Sequence, residues 1–150
     1  MTRAEILTAI KRYFTVQELV CDHTYKKWGE QAWQFLDTNL LWCLLIIRRD
    51  IIRQPLICNT KRAHQKGLRC NMCQMVKEKK EVYLTSHLFG KALDLSSTTP
   101  TMTAEKMREL IKANADLLPC PIRIEGGVNW LHFDVLPQYG ITAKVYEFKS

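Results

Sequence analysis

No apolar run in this chain is long enough to cross a membrane. The longest, Leu40–Ile47, falls far short of the roughly 20 residues a span needs and reads as a buried helix instead. Glycine and proline are sparse, six and five in 150 residues, so no linker, repeat or low-complexity tract divides the chain. A single domain over residues 1–150 is expected, long enough to bury a core. Met1–Leu7 lacks the apolar centre of a secretory leader. The expectation is synthesis in the cytoplasm, in a reducing setting for Cys21, Cys43, Cys58, Cys70, Cys73 and Cys120,. Acidic residues are also few: 15 against 22 lysines and arginines, a net charge of +7. Such a balance favours encounter with polyanions, whether nucleic acid, anionic lipid or bacterial wall. The basic residues are spread along the chain without the aromatic interleaving of single-strand binders. Neither nucleic acid nor membrane is therefore expected as a partner; the charge suits a wall polymer without selecting it.

Helices come first. Thr2-x-x-Glu5 and Thr15-x-x-Glu18 match the capping box, which predicts short helices beginning near each,. Trp33, Leu36, Leu40, Leu44, Ile47 and Ile51 recur at three- and four-residue steps, predicting one long amphipathic helix from about Glu30 to Arg53. Pro55 ends it. Leu56–Cys58 reads as a short buried strand, and Asn59–Lys80 as a long polar loop without periodicity,. A strand around Ala92–Leu95, a turn at Ser96–Pro100 and a helix over Thr103–Ala113 follow. Ile122–Glu125 and Asn129–Val135 flank Gly126-Gly127 as a hairpin, and Thr142–Phe148 adds an edge strand,. Helices followed by a small, mostly antiparallel sheet give an α+β class.

The chemistry lies in two segments. Ser86-His87-Leu88-Phe89-Gly90-Lys91-Ala92-Leu93-Asp94 and Trp130-Leu131-His132-Phe133-Asp134 together supply two imidazoles and a carboxylate. Those are the ligands of a catalytic zinc site whose fourth position stays open to water. Trp130, His132 and Asp134 alternate with apolar residues, so they share one strand face. Asp94 sits on a strand of the same kind, and Gly90 lets the chain bend between it and His87. Taken singly, His87 reads as well as a surface histidine and His132 as a satisfied core one; the joint pattern favours a metal site.

The pattern Ser-His-x-x-Gly-x-Ala-x-Asp with Trp-x-His-x-Asp resembles the zinc D-Ala-D-Ala carboxypeptidase and endolysin family of peptidoglycan peptidases (family M15). Tyr13–Cys21 is similar to the Phe-x-x-x-Glu-Leu start of its shorter members. Ile57-Cys58-Asn59-Thr60-Lys61-Arg62 stands where those members carry Ile-Thr-Ser-Gly-Tyr-Arg, keeping only the first and last residue types. The resemblance implies the Hedgehog/DD-peptidase fold and Zn2+ held by His87, Asp94 and His132. It also implies Arg62 as the arginine that binds substrate oxygen, and peptidoglycan peptides as the substrate of an expected monomer. An enzyme of that kind without a leader reaches the wall after release or within a virion, which suggests a phage or prophage origin.

One departure bears on catalysis. Several branches of the family place a catalytic acid three positions before the last histidine; here that residue is Asn129, and an amide is no general base. Glu125 and Asp134 are the remaining candidates. With Gly126-Gly127 as a two-residue turn, Glu125 pairs with Val128, roughly 13 Å along the strand from His132. Asp134 lies about 7 Å along the same face, where orienting a ligand imidazole is its commoner role. Cys70-Asn71-Met72-Cys73 reads as half a structural zinc site, a redox pair or two ordinary cysteines. Cys21 and Cys58 are the thiols that could complete such a site. Two alternatives to a peptidase stand beside it: a zinc-binding, hydrolytically inactive Hedgehog-like domain, and a basic nucleic-acid-binding protein with the CxxC in a zinc knuckle.

Overall fold

A computed structural model describes all residues, Met1–Ser150. Thr2 caps helix α1 (Arg3–Ile10) through a complete capping box, and Thr15 does the same for a single 3₁₀ turn, Val16–Glu18. Helix α2 (Asp22–Trp28) follows; its polar sequence gave no periodic signal. The long helix expected over Glu30–Arg53 is instead three pieces. A 3₁₀ segment covers Gly29–Phe35, and the chain breaks at Leu36–Asp37. Helix α3 (Thr38–Ile46) then starts afresh and runs on as a π-helical turn, Ile47–Ile52. Asp37 causes the break: its carboxylate accepts from the Asn39 and Leu40 amides, an N-cap that holds Asp37 itself extended,. The apolar positions keep their inward direction, with all six from Trp33 to Ile51 buried. Arg53 closes the π turn with a left-handed backbone, just before Pro55.

Strand β1 (Leu56–Ile57) precedes the stretch Asn59–Lys80, which is not all loop: it contains the short helix α4 (Gln74–Lys77). A 3₁₀ turn, Ser86–Phe89, leads into β2 (Ala92–Ser97), which takes in part of the expected turn at Ser96–Pro100 in order to pair with β1. Helix α5 (Ala104–Ala113) begins at its Thr103 cap. Strands β3 (Ile122–Glu125), β4 (Leu131–Asp134) and β5 (Val145–Phe148) complete a mixed five-stranded sheet of order β1-β2-β4-β3-β5. All pairings are antiparallel except that β5 runs parallel to β3 at the edge. The chain is thus α+β.

Alternation decides what each sheet face carries. Leu93, Leu95, Leu131 and Phe133 join one hydrophobic cluster with α1, α3 and α5. Asp94, His132 and Asp134 occupy the other face and are still buried, because the 59–69 segment and the Thr85–Gly90 turn lie across it. Backbone bonds stitch that cover to the N-terminal region. The Leu68 amide donates to Leu19 O and the Cys21 amide to Leu68 O, both at 2.9 Å. Asn59 adds its side-chain amide to Val20 O at 2.6 Å. Gly67 is needed for this approach, since a Cβ there would lie 2.1 Å from the Leu19 carbonyl oxygen.

Candidate metal centre

Asp94 on β2 and His132 on β4 are direct cross-strand partners, so their side chains leave the same face side by side. His87 reaches them from the 3₁₀ turn, where the Thr85 hydroxyl accepts its amide. Gly90 ends that turn at φ 66°, and a Cβ on it would fall 1.9 Å from Phe35 O. The bend expected at Gly90 is therefore a strict requirement for this residue type. One donor atom from each of His87, Asp94 and His132 lies within 4.8 Å of the others, and all three residues are buried.

A hydrogen bond settles which nitrogen the His87 ring offers, and His132 stands between two carboxylates. His87 Nδ1 lies 2.8 Å from Gly67 O; a carbonyl only accepts, so Nδ1 carries the proton and Nε2 is left facing Asp94 at 3.5 Å,. His132 Nε2 lies 2.9 Å from Asp134 Oδ2, and Nδ1 lies 2.8 Å from Asp94 Oδ1. Both imidazoles thus turn one nitrogen to the Asp94 carboxylate and fix the other behind it, the arrangement by which proteins orient metal-ligating histidines. These residues could hold a metal ion, with three protein donors and one side facing a cleft.

The electrostatics favour positive charge at that point. Burial alone would lower the His132 pKa, but the hydrogen bonds to Asp134 and Asp94 raise it to about 9. Burial works equally against ionised Asp94, and its bonds to His132 and His87 overcome this, holding it well below the ordinary carboxylate range. Asp134 is fully buried and also held low, because His132 and Arg123 outweigh its desolvation. Arg123 grips both its oxygens, at 2.8 and 2.9 Å, while Ser86 Oγ and the Leu136 amide add to them. With both oxygens engaged, Asp134 is arranged to orient His132 rather than to trade protons with a substrate.

Glu125 stands elsewhere than the sequence reading put it. Gly126-Gly127 is not a two-residue hairpin turn: β3 and β4 pair Arg123 with Asp134 and Ile124 with Phe133, leaving residues 126–130 as the connection. Extending that register by one residue sets Glu125 opposite His132, within one cross-strand spacing. Its side chain lines a cavity of ≈ 510 Å³ shared with His87, Asp94 and His132, and Ser150 Oγ donates to it. Arg108 explains the wide connection. This guanidinium, 3% exposed, reaches up from α5 to the carbonyls of Glu125, Val128 and Trp130. Asn129, in the same connection, is exposed.

Arg62 is likewise exposed. It lines an adjoining cavity of ≈ 810 Å³ whose wall also includes Asp94 and Trp130. Nearer the candidate ligands stands an arginine that no sequence motif singles out. Arg69 is 8% exposed, anchors its Nε on Gln65 O at 2.7 Å and brings Nη2 to 3.6 Å from Asp94 Oδ2. Nothing in its local sequence marked it, because its position comes from the Leu19–Leu68 stitching. Trp130 borders both cavities, with Lys66 over its ring; its indole N–H is buried without a partner.

The donors of a second group, Cys21, His23, Cys70 and Cys73, come within 4.8 Å of one another and could also hold a metal ion; all but Cys70 line the larger cavity. Cys58, named from sequence as a companion thiol, is buried in the hydrophobic cluster instead. Comparison of the chain with known protein families, characterised proteins and solved structures finds no match.

Proposed function

We propose that the chain is a zinc peptidase acting on the peptides of bacterial peptidoglycan, as an endolysin or D,D-carboxypeptidase does, with the Hedgehog/DD-peptidase fold and a phage or prophage origin. The observation that carries this reading is the convergence of His87 Nε2, an Asp94 oxygen and His132 Nδ1, each imidazole fixed from behind by its own acceptor. Nitrogen and carboxylate donors of this kind suit zinc, and three protein ligands mark a catalytic rather than a structural site. Bound there, zinc supplies Lewis acidity, making water a nucleophile near neutral pH and polarising a peptide carbonyl.

The remaining work falls to the protein. Glu125, opposite His132 and on the cavity wall, accepts the proton of the attacking water and passes it to the leaving amine. Arg69 takes the part the resemblance gives to Arg62. Its guanidinium donates to the substrate oxygen as negative charge gathers there, while Arg62, farther out, meets a substrate carboxylate. The Trp130 indole N–H offers a further donor to a peptide carbonyl. Stem peptides carry free carboxylates, and the larger cavity presents Arg62, Lys66, Arg69 and Lys77 to them,.

A second reading, a zinc-binding domain without hydrolysis, is favoured by one observation: the family's acid position is the exposed Asn129. Mass spectrometry of purified peptidoglycan incubated with the zinc-loaded protein separates the two. New peptide termini that vanish with His87→Ala support the peptidase and name its bond. Intact wall from several chemotypes, with zinc measured in place, overturns it in favour of the binding domain.

A further inference from the structure

The group formed by Cys21, His23, Cys70 and Cys73 plays no part in the chemistry above. We propose that these residues bind a second zinc ion as a closed, structural Cys3His site that clamps the long loop to α2. Three sulfurs and one ring nitrogen, all within 4.8 Å of one another, match the donor number and type of structural zinc, where four protein ligands leave no open position. This group has four protein donors where the His87 group has three, and the two differ in softness: sulfur here, nitrogen and oxygen there.

Local geometry fits the assignment. Cys73 Sγ lies 3.9 Å from His23 Nδ1 although fifty residues separate them. The Cys70–Cys73 segment is a tight turn, closed by the Cys73 amide on Cys70 O at 3.1 Å. Its amides point at sulfur: Met72 N–H lies toward Cys70 Sγ at 3.3 Å, and Cys70 N–H toward Cys73 Sγ at 3.4 Å. Such donors stabilise thiolates, the form that binds metal. Cys21 is held in place by the hydrogen bond its backbone N–H donates to Leu68 O. A redox pair would need only Cys70 and Cys73, and would leave the convergence of Cys21 and His23 without a reason.

The loop also has a need for such a clamp. Helix α4 buries none of its residues, and Lys77–Tyr83 is almost wholly exposed. A segment with so little apolar burial does not hold one conformation through its own packing. Metal binding supplies that free energy directly, each thiol releasing its proton to solvent as it ligates. The clamped loop carries Arg62, Lys66 and Arg69, so the second zinc would fix one wall of the substrate cleft.

Metal analysis of protein purified under reducing conditions, with zinc supplied, tests this. Two zinc ions per chain are expected. The Cys70→Ser/Cys73→Ser variant should lose one and keep the other, and His87→Ala should do the converse. Zinc lost only with His87→Ala overturns the second site and leaves the peptidase reading intact. Zinc lost only with the cysteine changes upholds the second site and removes the catalytic one. Should the cysteine variant not fold, the wild-type protein still decides: cobalt substitution must produce the intense near-ultraviolet band of sulfur-to-cobalt charge transfer. Absence of that band, or an intact mass two hydrogens lower that marks a Cys70–Cys73 disulfide, overturns the proposal.

Discussion

Replacing Asp134 with asparagine keeps the shape of the side chain and removes its charge. Two partners feel the change. His132 loses the carboxylate that lies 2.9 Å from its Nε2, and Arg123 loses a two-pronged ion pair to a fully buried acid. Substitutions of this kind behind a metal-ligating histidine reduce metal affinity by roughly 10- to 100-fold, which is about 1.4–2.7 kcal/mol. The folded state suffers separately. Removing one partner of a buried pair costs up to about 3–5 kcal/mol, but the Arg123 side chain is 21% exposed and regains some hydration. Roughly 2 kcal/mol is therefore expected for the metal-free protein. A chelator competition for the nitrogen-and-oxygen site, run beside urea unfolding in excess chelator, reads the two effects apart. Arg123→Met serves as the control, with a comparable loss of stability and a smaller loss of zinc affinity. Should Asp134→Asn bind zinc within twofold of wild type, the idea that this carboxylate sets the ligating nitrogen is refuted, whatever happens to stability.

Glu125→Gln should retain full zinc content while turnover falls by roughly 10²- to 10⁴-fold; unchanged turnover returns the search for the base to other groups on the cavity wall. Arg69→Ala should reduce kcat by about 10²-fold or more, whereas Arg62→Ala should mainly raise KM, a contrast that steady-state kinetics on one peptide substrate resolves. Gly90→Ala should destabilise the fold by at least ~3 kcal/mol, combining the left-handed backbone with a collision against Phe35 O,; equal urea midpoints for the two proteins contradict this. Asp37→Ala should cost about 1 kcal/mol at neutral pH through the lost cap. Burial raises the Asp37 pKa, yet the bonds to Lys91 and the capped amides prevail and hold it below its ordinary value of 3.8. Its stabilisation is therefore fully present above that value and fades as pH falls through the lower, folded one. The gap between wild type and variant in pH-dependent denaturation should close in acid, and a gap that widens there contradicts the cap.

What the sequence could convey depended on how local each determinant is. The capping boxes at Thr2 and Thr15 and the alternation in β2 and β4 are settled within a few residues, and each was legible. The break at Asp37 was local too, yet the apolar spacing runs through it in phase and masks it. The register of β3 on β4 was not readable. A Gly-Gly pair suggests the tightest hairpin, and only Arg108, from a helix before both strands, shows why the connection is wider. Arg69 and His23 escaped notice for a similar reason. Their places depend on backbone bonds between residues about fifty positions apart, and no short motif records such a bond.

The Gly67 carbonyl that fixes His87 is itself located by Leu19, through the close approach that only glycine permits. Which ring nitrogen His87 turns toward Asp94 is in this way decided by the N-terminal part of the chain. The two motif segments alone, grafted onto another sheet, would deliver the right donor atoms without the tautomer that makes one of them a donor. Any attempt to shorten the domain from its front, or to transplant its candidate metal centre, must bring the stretch from Glu18 to Cys21 along with it.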